Sequence, residues 1–594
     1  MQTISLDYET EYSKDYSIRD MGAWAYCNDP RFNAYLLAVA WEDGRTWIGN
    51  PKDFDWESIN GLDWVAANAG FEWEVTERLR KDGVVPAHIK PRKIYDVLDL
   101  SRYLGYPGNL NAACQYLLNV KIDKGMRDRA KNQTWVSMSP DFQDAMKQYA
   151  LLDAVHELSI WQKHGHKMPE DERMLSRLTR IMCRQGVPID VPAVDDAISK
   201  LEAYLADIRS RIPWTTDPTI PVMSPKAMAK ECLKKGVAPP TSMAKDSEAF
   251  AAWLKEHGDM FPFAVAIGQY RSANNLLKKL QTMKRRTRLD GVMPFGLKYF
   301  GGHTGRDSGD SGFNVQNLHR EPYTCTPTKG EHFKIDLRGM IAAPTGKLLL
   351  IADEVAIEPC VLAVLSEDKE LLKRLSTGED VYEAWARLTK GYADPRPLND
   401  VDPRMRRLCK VEQLGLSYGA GVEKCIKIAK MWAGIDLTYQ QAQLQVAKFR
   451  ERPFIPRFWQ KLESLMTRSA GEDFQFELPS GRIMNYRKVQ TVNGLSAEIP
   501  KLGQMLRCRF WGGAICENII QSVGRDVFMH HILELQKKGI NIICRIHDEV
   551  LCLVDEDKAE ESLKLALQIM STPPPWLTNL PIRAAGHLSQ KYCK

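Results

Sequence analysis

The sequence of 594 residues lacks the features of a membrane or secreted protein. It has no run of about 18–20 uninterrupted apolar residues, which a membrane-spanning helix requires. Its first residues, Met-Gln-Thr-Ile-Ser-Leu-Asp, lack the basic start and apolar stretch of a secretory signal. The thirteen cysteines include no Cys-x-x-Cys pair, so the pattern indicates reduced thiols rather than a zinc site. We therefore expect a cytoplasmic protein without a membrane partner.

A large excess of one charge is also absent. The net charge is +6, which permits a polyanionic partner but does not require one. Hydrophobic residues make up 44% and charged residues 26%, as in soluble globular proteins.

The first 165 residues alternate strand-like and helix-like segments, and the pattern then becomes mainly helical to about residue 290. A Gly-rich stretch, FGGHTGRDSGDSGFNVQNL, follows and is too long for an ordinary connection.

Carboxylates interrupt the apolar stretch NIICRIHDEVLCLV, where His547, Asp548 and Glu549 separate two strand-like runs. The β-branched residues of these runs favour a β-hairpin with a charged tip, which taken alone is commonly a solvated turn. Another strand-like run, in GKLLLIADEV, ends on Asp353. A carboxylate there, beside the hairpin, would give Mg²⁺ the oxygen ligands that it takes together with substrate phosphates. Two such ions about 3.5–4 Å apart can clamp the oxygens of a phosphoryl transfer.

Arg406, Lys410, Leu414 and Tyr418 follow one another at steps of four, which places them on one face of a predicted helix. Two cations a turn apart can bind a triphosphate, and a tyrosine nearby can stack on a base. The alternative is a solvated basic face. Gly415 argues against that alternative, because a surface helix gains nothing from a glycine whereas close approach of another group requires one.

The N-terminal region carries a second set of acidic residues. In TISLDYET, Asp7 and Glu9 are two apart and point to one face of a strand. This like-charged pair is unfavourable unless cations or water compensate it; an exposed edge strand is the alternative. In YALLD, Tyr149 and Asp153 are four apart on a predicted helix.

Together these stretches resemble motifs A, B and C of the family A (polymerase I type) DNA polymerases. By this resemblance Asp353 and Asp548 hold the catalytic metal ions, with Glu549 as the second acidic residue of motif C. Glu358 matches the residue that blocks a ribose 2′-hydroxyl. The resemblance implies that Arg406, Lys410 and Tyr418 bind the nucleotide, and that Lys410 can protonate the departing pyrophosphate.

Contacts to primer–template DNA are implied in the same way. The segment HTGRDSGDSGFNVQNL resembles the family's Thr-Gly-Arg…Asn-x-Gln-Asn segment, and ENIIQSVGRD resembles the helix before motif C. The implied DNA-binding residues are Arg306, Gln316, Asn317, Gln521 and His547.

Several positions depart from the family pattern. Leu414 replaces a common aromatic in the nucleotide-binding helix, and Tyr382 stands where many relatives have a phosphate-contacting histidine. Glu354-Val355 replaces Tyr-Ser after the motif A aspartate, and Pro359-Cys360 replaces Leu-Arg. None of these changes removes a metal ligand.

The N-terminal residues resemble the 3′→5′ proofreading exonuclease of the same family. By this resemblance Asp7, Glu9 and Asp153 hold two divalent ions and Tyr149 orients the attacking water. Glu72, in ANAGFE, occupies a position that is usually aspartate. Its extra methylene moves the carboxylate by about 1 Å or more, and misplacement of that size can reduce catalysis about 10²-fold. We nevertheless expect an active exonuclease.

The resemblance implies an α/β, RNase H-like exonuclease domain followed by an α+β, right-hand polymerase domain. The exonuclease domain would occupy residues 1–165 and the polymerase domain residues 166–594. Within the latter we expect a thumb at about 185–295, a palm at about 300–370 and 505–594, and fingers at about 371–500. No 5′-nuclease region is expected, as in many phage-type relatives.

The expected cofactors are two Mg²⁺ ions at each site, with Mn²⁺ as an alternative. The expected partners are primer–template DNA, deoxynucleoside triphosphates and replication proteins such as a helicase–primase and a single-strand binding protein. One alternative is a nuclease or nucleic-acid-binding protein with an inactive polymerase half. Another is a single-subunit RNA polymerase, which shares the motif A and C carboxylates. Glu358 and the N-terminal acidic residues favour DNA synthesis with proofreading.

Overall fold

The computed structural model describes residues 2–122, 125–244, 247–310 and 312–593. The chain forms two compact units. The first unit comprises Met1–Gln185, Gly296–Gln316 and Gly346–Leu588, and the second comprises Gly186–Phe295, Asn317–Thr345 and Ser589–Lys594. The predicted thumb segment thus lies almost wholly in the second unit, whereas the N-terminal region shares the first unit with the predicted palm and fingers. No helix in the described ranges is both long and apolar enough to cross a membrane.

The N-terminal region is built on a five-stranded sheet with the strand order β3-β2-β1-β4-β5. Its strands are β1 (Thr3–Thr10), β2 (Ala34–Trp41), β3 (Thr46–Gly49), β4 (Asp63–Ala66) and β5 (Lys93–Asp96). Strand β1 is central, antiparallel to β2 and parallel to β4. Its alternate residues Ile4, Leu6 and Tyr8 are buried in the core, so Ser5, Asp7 and Glu9 share the opposite face.

Helices cover this sheet. They are α1 (Ile18–Met21), α2 (Ala23–Asn28), α3 (Ala69–Lys81), α4 (Val97–Tyr103), α5 (Leu110–Ala113), α6 (Gly125–Ala130), α7 (Pro140–His164) and α8 (Glu170–Gln185). Helix α7 begins where Ser139 accepts a hydrogen bond from the Phe142 amide at 3.3 Å and Pro140 takes the first helical position. It packs against β1 and β2 through small residues such as Ala150 and Ala154.

The second unit is mainly helical, as the sequence pattern predicts for residues 186–290. Its helices are α9 (Val191–Ser210), α10 (Pro225–Lys234), α11 (Glu248–His257) and α12 (Pro262–Arg286). Helices α9 and α12 pack together along their length, and α12 ends in a basic turn that contains Lys284, Arg285 and Arg286. Its short strands are β6 (Val187–Pro188), β7 (Val292–Met293), β10 (Tyr323–Cys325) and β11 (Phe333–Ile335), while β8 (Leu297–Lys298) and β9 (Ser308–Gly309) belong to the first unit.

The C-terminal part of the first unit begins with β12 (Lys347–Glu354). The helices that follow are α13 (Ile357–Leu365), α14 (Lys369–Leu375), α15 (Val381–Thr389), α16 (Leu398–Val401), α17 (Pro403–Leu414), α18 (Val422–Ala433), α19 (Tyr439–Glu451) and α20 (Phe454–Arg468). An antiparallel sheet comes next, formed in chain order by β13 (Phe474–Glu477), β14 (Ile483–Gln490), β15 (Ser496–Lys501) and β16 (Gln504–Arg509). Strands β13 and β14 and most of β15 lie in the range assigned to the fingers, whereas β16 lies at the start of the range assigned to the palm; the sequence pattern indicates helices only to about residue 470.

The remaining elements complete the sheet that carries the candidate polymerase residues. They are α21 (Gly512–Lys537), β17 (Ile542–Ile546), β18 (Glu549–Asp555), α22 (Ala559–Met570) and β19 (Ala584–Ser589). The sheet order is β17-β18-β12-β19, which places the predicted hairpin directly beside β12. Helices α13 and α22 pack near this sheet and against the long, buried helix α21.

Candidate active sites

Asp353 and Asp548, which are far apart in the sequence, meet where β12 joins the hairpin of β17 and β18. Strands β12 and β18 pair in antiparallel register, with Asp353 opposite Glu549. The Glu354 amide donates a hydrogen bond to the Asp548 carbonyl oxygen at 3.1 Å. His547 takes a left-handed backbone conformation with φ +59°, so the hairpin turns without a glycine. The structure therefore brings together the two carboxylates that the sequence pattern nominates as metal ligands.

The neighbouring acidic residues are more deeply buried. Glu549 is only 2% exposed, whereas Asp353 and Asp548 are half-buried. Glu354 is 1% exposed, and its Oε1 lies 2.7 Å from Nδ1 of His531 on α21. The other ring nitrogen of His531 donates to the Thr572 carbonyl oxygen at 2.9 Å. Burial, together with the charges of Asp548 and Asp353, raises the pKa of Glu354 well above its ordinary value.

Glu354 thus has a structural explanation, although it departs from the family pattern. Burial also lowers the pKa of His531, so both partners favour their neutral forms. Since Nε2 of His531 faces a carbonyl oxygen, it carries the proton and Nδ1 accepts from the Glu354 carboxyl. Sequence reasoning missed His531, because it lies on the helix before motif C and no local pattern relates it to β12.

Glu358 lies in the first turn of α13 and accepts two hydrogen bonds. Arg306 donates to its Oε1 at 2.6 Å, and the Tyr418 hydroxyl donates to its Oε2 at 2.9 Å. The Glu358 carboxylate therefore joins Arg306 and Tyr418, which belong to separate motifs. Burial and the Glu358 charge raise the pKa of Tyr418 well above its ordinary value, so this hydroxyl remains a donor.

The predicted nucleotide-binding helix is shorter than expected. Helix α17 carries Arg406, Lys410 and Leu414 but ends at Leu414, and Tyr418 lies in a 3₁₀ turn over Leu416–Tyr418. The prediction that all four residues share one face of a continuous α-helix is therefore wrong at its last member. The position after the helix requires a glycine, because a Cβ on Gly415 would lie 2.8 Å from the Val411 carbonyl oxygen and 3.1 Å from Ile428 on α18.

The two cations of α17 have different surroundings. Arg406 forms an ion pair with Asp380 at 2.9 Å, and its guanidinium lies over the Tyr382 ring at 5.0 Å from the centroid. Lys410, one turn further along, is exposed. Tyr382, which replaces the histidine common in the family, is buried beneath Arg406. Its ring therefore supports the guanidinium from the buried side.

Helix α21 fixes the position of Tyr418. Its first turn contains two glycines, and a Cβ on Gly513 would lie 2.5 Å from the Tyr418 carbonyl oxygen. The indole of Trp459 donates to the Ser417 carbonyl oxygen at 2.9 Å. Further along α21, Gln521 donates to Glu517 at 3.2 Å and is half-buried.

A polar pocket lies beside the hairpin tip and collects several of the predicted DNA-binding residues. Its lining residues are Arg306, Asp307, Gln316, Arg525, Phe528, Met529, Arg545 and His547. Gln316 approaches the Arg545 carbonyl oxygen at 3.4 Å, and Arg545 forms a buried ion pair with Asp307 at 2.6 Å. Asn317 belongs to the second unit and is not part of this set.

The N-terminal candidate site lies between β1, α3 and α7. Asp7 and Glu9 project from β1, and Tyr149 and Asp153 lie one turn apart on α7, which packs on β1. Burial and then the charges of nearby carboxylates, Glu9 and Asp153 among them, raise the pKa of Asp7 well above its ordinary value. The Tyr149 hydroxyl is hydrogen-bonded to Asp153, and burial with this partner raises the pKa of Tyr149.

Glu72 completes the predicted set. It lies in the first turn of α3, is 6% exposed, and its Oε2 accepts a hydrogen bond from the Tyr8 amide at 3.1 Å. The extra methylene of glutamate is thus accommodated by a bond to the backbone between Asp7 and Glu9. Burial and the charge of Glu157 raise the pKa of Glu72 well above its ordinary value.

Glu157 is a further carboxylate that the sequence analysis did not nominate. It lies one turn beyond Asp153 on α7, is completely buried, and its Oε2 accepts a hydrogen bond from the Ser5 hydroxyl at 2.7 Å. The signal was present, because Glu157 continues the four-residue spacing of Tyr149 and Asp153, and Ser5 continues the two-residue spacing of Asp7 and Glu9.

Metal binding at either site would need oxygens from outside the protein. Within the described part of the chain, no three His, Cys, Asp or Glu side chains form a ready-made metal cage. This arrangement fits Mg²⁺, which commonly takes one or two carboxylates and completes its coordination with water and substrate phosphates. The buried Oδ2 of Asp7 has no hydrogen-bond partner among the described residues, which leaves it available as a ligand.

Comparison with known proteins decides the family. The model of the DNA polymerase family A matches residues 192–594, which is more than half of the chain. The chain belongs to DNA polymerase family A. It is therefore a template-directed DNA polymerase, and this assignment favours DNA synthesis over the inactive-polymerase and RNA polymerase alternatives.

Individual relatives agree with this family. The chain is 25% identical to a DNA polymerase of Bacillus phage SP02, with all of both chains covered, and 22% identical to DNA polymerase I of Aquifex aeolicus, with 85% of each covered. Among solved structures, it resembles the POL domain of Pol1 from M. smegmatis in complex with DNA primer-template and dNTP. That match has a TM-score of 0.67 at 16% identity and covers 100% of this chain and 95% of that chain. The family match does not include the N-terminal site.

Proposed function

We propose that this polymerase extends a primer 3′ end with deoxynucleoside triphosphates by two-metal phosphoryl transfer and removes mismatched 3′ ends at its N-terminal site. The observation that carries the first part is the hydrogen bond of 3.1 Å between the Glu354 amide and the Asp548 carbonyl, which keeps Asp353 and Asp548 side by side. Two divalent ions, Mg²⁺ or Mn²⁺, held by these carboxylates would activate the primer 3′-oxygen and stabilise the departing pyrophosphate.

The surrounding residues bind and orient the nucleotide. Lys410, which is exposed on α17, would neutralise the triphosphate and donate a proton to the leaving pyrophosphate. Arg406 assists from the preceding turn, held by Asp380 and the Tyr382 ring. Leu414 gives the next turn of the helix an aliphatic surface in place of an aromatic ring.

Glu358 and Tyr418 form the side of the site that meets the sugar. The carboxylate is held by Arg306 at 2.6 Å and by the Tyr418 hydroxyl at 2.9 Å, so it cannot move aside freely for a 2′-hydroxyl. The residues proposed to contact the primer–template are Arg306, Gln316, Asn317, Gln521 and His547. Most of these are polar groups near the hairpin tip, where a new base pair would form.

The N-terminal site is proposed to be a 3′→5′ exonuclease. Asp7, Glu9 and Asp153 would hold two divalent ions, Tyr149 would orient the attacking water through its hydrogen bond to Asp153, and Glu72 would complete the acidic set. The supporting observation is the packing of α7, which carries Tyr149 and Asp153, on the strand that carries Asp7 and Glu9, with Glu72 bonded to the Tyr8 amide at 3.1 Å. Burial and nearby carboxylates raise the pKa of Asp7 and of Glu72, so their ionised forms are unfavourable without cations. A group of this kind is typical of a metal-dependent phosphodiesterase rather than of a structural core.

Primer extension by an Asp548→Ala variant tests the polymerase assignment. We expect extension with Mg²⁺ and all four nucleotides to be abolished, while degradation of single-stranded DNA continues. Asp555→Ala is the matched control, because Asp555 lies at the far end of β18, is 54% exposed and forms a surface ion pair with Lys347 at 2.6 Å. Undiminished extension by the Asp548 variant would refute the metal-binding role.

The complementary variant is Asp7→Ala. It should stop degradation of a mismatched primer end and leave extension of a matched primer unchanged. Asp15→Ala is its control, because the Asp15 side chain is 83% exposed on the same domain. If the Asp7 variant loses both activities, the division of labour between two sites is wrong.

A further inference from the structure

The face of β1 that carries Asp7 and Glu9 also carries Ser5, two residues before Asp7. On α7 the row of Tyr149 and Asp153 continues one turn later, at Glu157. The two rows face each other, because α7 packs directly on β1. At the buried end of the rows, the Ser5 hydroxyl donates to Glu157 Oε2 at 2.7 Å. This hydrogen bond joins residues 152 positions apart in the sequence.

The bond is buried on both sides. Ser5 and Glu157 are each 0% exposed. A buried carboxylate is unfavourable for stability unless something compensates it, and the charge of Glu157 also acts on the buried carboxylates of Asp7 and Glu72. An apolar residue of similar size would fill the same space without this penalty. A role in packing alone therefore does not account for a glutamate at position 157.

We propose that Glu157 is a positioning residue of the exonuclease. By accepting a hydrogen bond from the Ser5 hydroxyl it fixes the position of α7 relative to β1, and thereby sets the separation of Asp153 from Asp7. The inference rests on the proposed exonuclease function. Ser5 is two residues before Asp7 on an extended strand, and Glu157 is one turn after Asp153, so a shift of α7 relative to β1 at this hydrogen bond changes the separation of the two ligands. Metal-assisted hydrolysis is sensitive to such shifts, since misplacement by about 1 Å can lower the rate about 10²-fold.

The test compares four variants of the full-length polymerase: Ser5→Ala, Glu157→Ala, the double variant, and Glu157→Gln. A glutamine keeps an acceptor oxygen for Ser5 but has no charge. We expect kcat for degradation of a single-stranded 3′ end to fall about 10²-fold in both alanine variants and no further in the double variant. The glutamine variant should restore most of the rate. Asp144→Ala is the control, because Asp144 is 72% exposed on the same helix.

Two measurements distinguish a positioning role for Glu157 from a general loss of folding. Primer extension in the same molecules should be unchanged, and KM for the single strand should change little while kcat falls. A glutamine variant as slow as the alanine variant would overturn the proposal in favour of a role for the charge. Normal degradation by Ser5→Ala would overturn it as well.

Failure of the underlying exonuclease assignment gives a different result. In that case Asp7→Ala would leave degradation unchanged or the wild type would not degrade at all. Mn²⁺ binding, measured in an Asp353→Ala/Asp548→Ala background that removes the polymerase ligands, then decides the inference. Weaker Mn²⁺ binding by Glu157→Ala with recovery by Glu157→Gln would support the tether, and unchanged binding by all four variants would overturn it.

Discussion

Replacing Glu358 by alanine removes the acceptor on which Arg306 and Tyr418 converge. If this carboxylate excludes ribonucleotides, the variant should incorporate them more readily, because a 2′-hydroxyl could then occupy its space. The effect on deoxynucleotide incorporation should be smaller, since neither Asp353 nor Asp548 is changed. Selectivity, the ratio of kcat/KM for a deoxynucleotide to that for its ribonucleotide, is therefore the quantity to measure.

The expected magnitude follows from the two hydrogen bonds. To admit a 2′-hydroxyl, Glu358 must release the bond from Arg306 at 2.6 Å or the bond from Tyr418 at 2.9 Å. A hydrogen bond to a charged group contributes about 1.5–3 kcal/mol, which corresponds to roughly 10–150-fold in selectivity. Glu358→Ala should therefore lower selectivity by about that factor.

Single-turnover incorporation of one nucleotide opposite a defined template base provides the assay. Tyr418→Phe removes only the hydroxyl that donates to Glu358, so it should lower selectivity towards the lower end of the range, about 10-fold. Exonuclease activity on single-stranded DNA is the internal control for folding. An alanine variant with wild-type selectivity would show that another group excludes the 2′-hydroxyl.

Three further predictions concern the structure around the polymerase residues. Arg545→Ala should lower the free energy of unfolding by about 3–5 kcal/mol in urea denaturation, because it leaves Asp307 buried without its partner; Arg545→Met combined with Asp307→Leu should recover most of the loss. Gly513→Ala should slow extension and spare degradation, because its Cβ would lie 2.5 Å from the Tyr418 carbonyl oxygen, whereas Gly524→Ala on the same helix, with its nearest contact at 3.7 Å, should be tolerated. Burial lowers the pKa of His303 to about 4, below its ordinary value of 6.5, so the stability it contributes is present above pH 6.5 and is lost as the pH falls towards 4. The gain in melting temperature of His303→Phe over the wild type should therefore be larger at pH 4.5 than at pH 7.5, and a gain independent of pH would contradict this reasoning.

Local patterns in the sequence were sufficient to predict the strands that carry the acidic residues Asp7, Glu9 and Asp353 and the hairpin beside β12. The β-branched runs around His547 predicted the hairpin, and the apolar run before Asp353 predicted β12. The two-residue spacing of Asp7 and Glu9 predicted one face of a strand. These features depend on residues close in sequence, where backbone periodicity decides which side chains share a face.

Other features depend on contacts that periodicity does not encode. Glycine is required after α17 because Ile428 lies close to position 415, and the partner of Glu354 is a histidine on α21. The sheet of β13–β16 had a local signal, since Phe474 and Phe476 alternate with polar residues and Gly481 turns the chain at φ +80°. That signal is short and lies after a long helical stretch, which concealed it.

The two candidate sites share one structural arrangement, from which we expect these tertiary contacts to matter for catalysis. In each site at least one carboxylate stands on a strand or in the turn next to one, and a residue close to it in the sequence is held to another element by a buried polar contact. Asp353 is followed by Glu354, which is tied to α21 through His531. Three residues before Asp548, Arg545 is tied to Asp307.

The N-terminal site repeats the pattern, because Ser5, two residues before Asp7, is tied to Glu157 on α7. Buried polar pairs contribute little net stability, but they fit one geometry and penalise others. A strand end tied in this way cannot slide or twist without leaving a buried polar group unsatisfied, at about 1–3 kcal/mol for each. Carboxylates that repel one another until cations bind need such an anchor, since repulsion would otherwise move them apart. Substitutions in the buried contacts beside Asp7, Asp353 and Asp548 are therefore expected to lower catalysis, although less than substitutions of the carboxylates themselves.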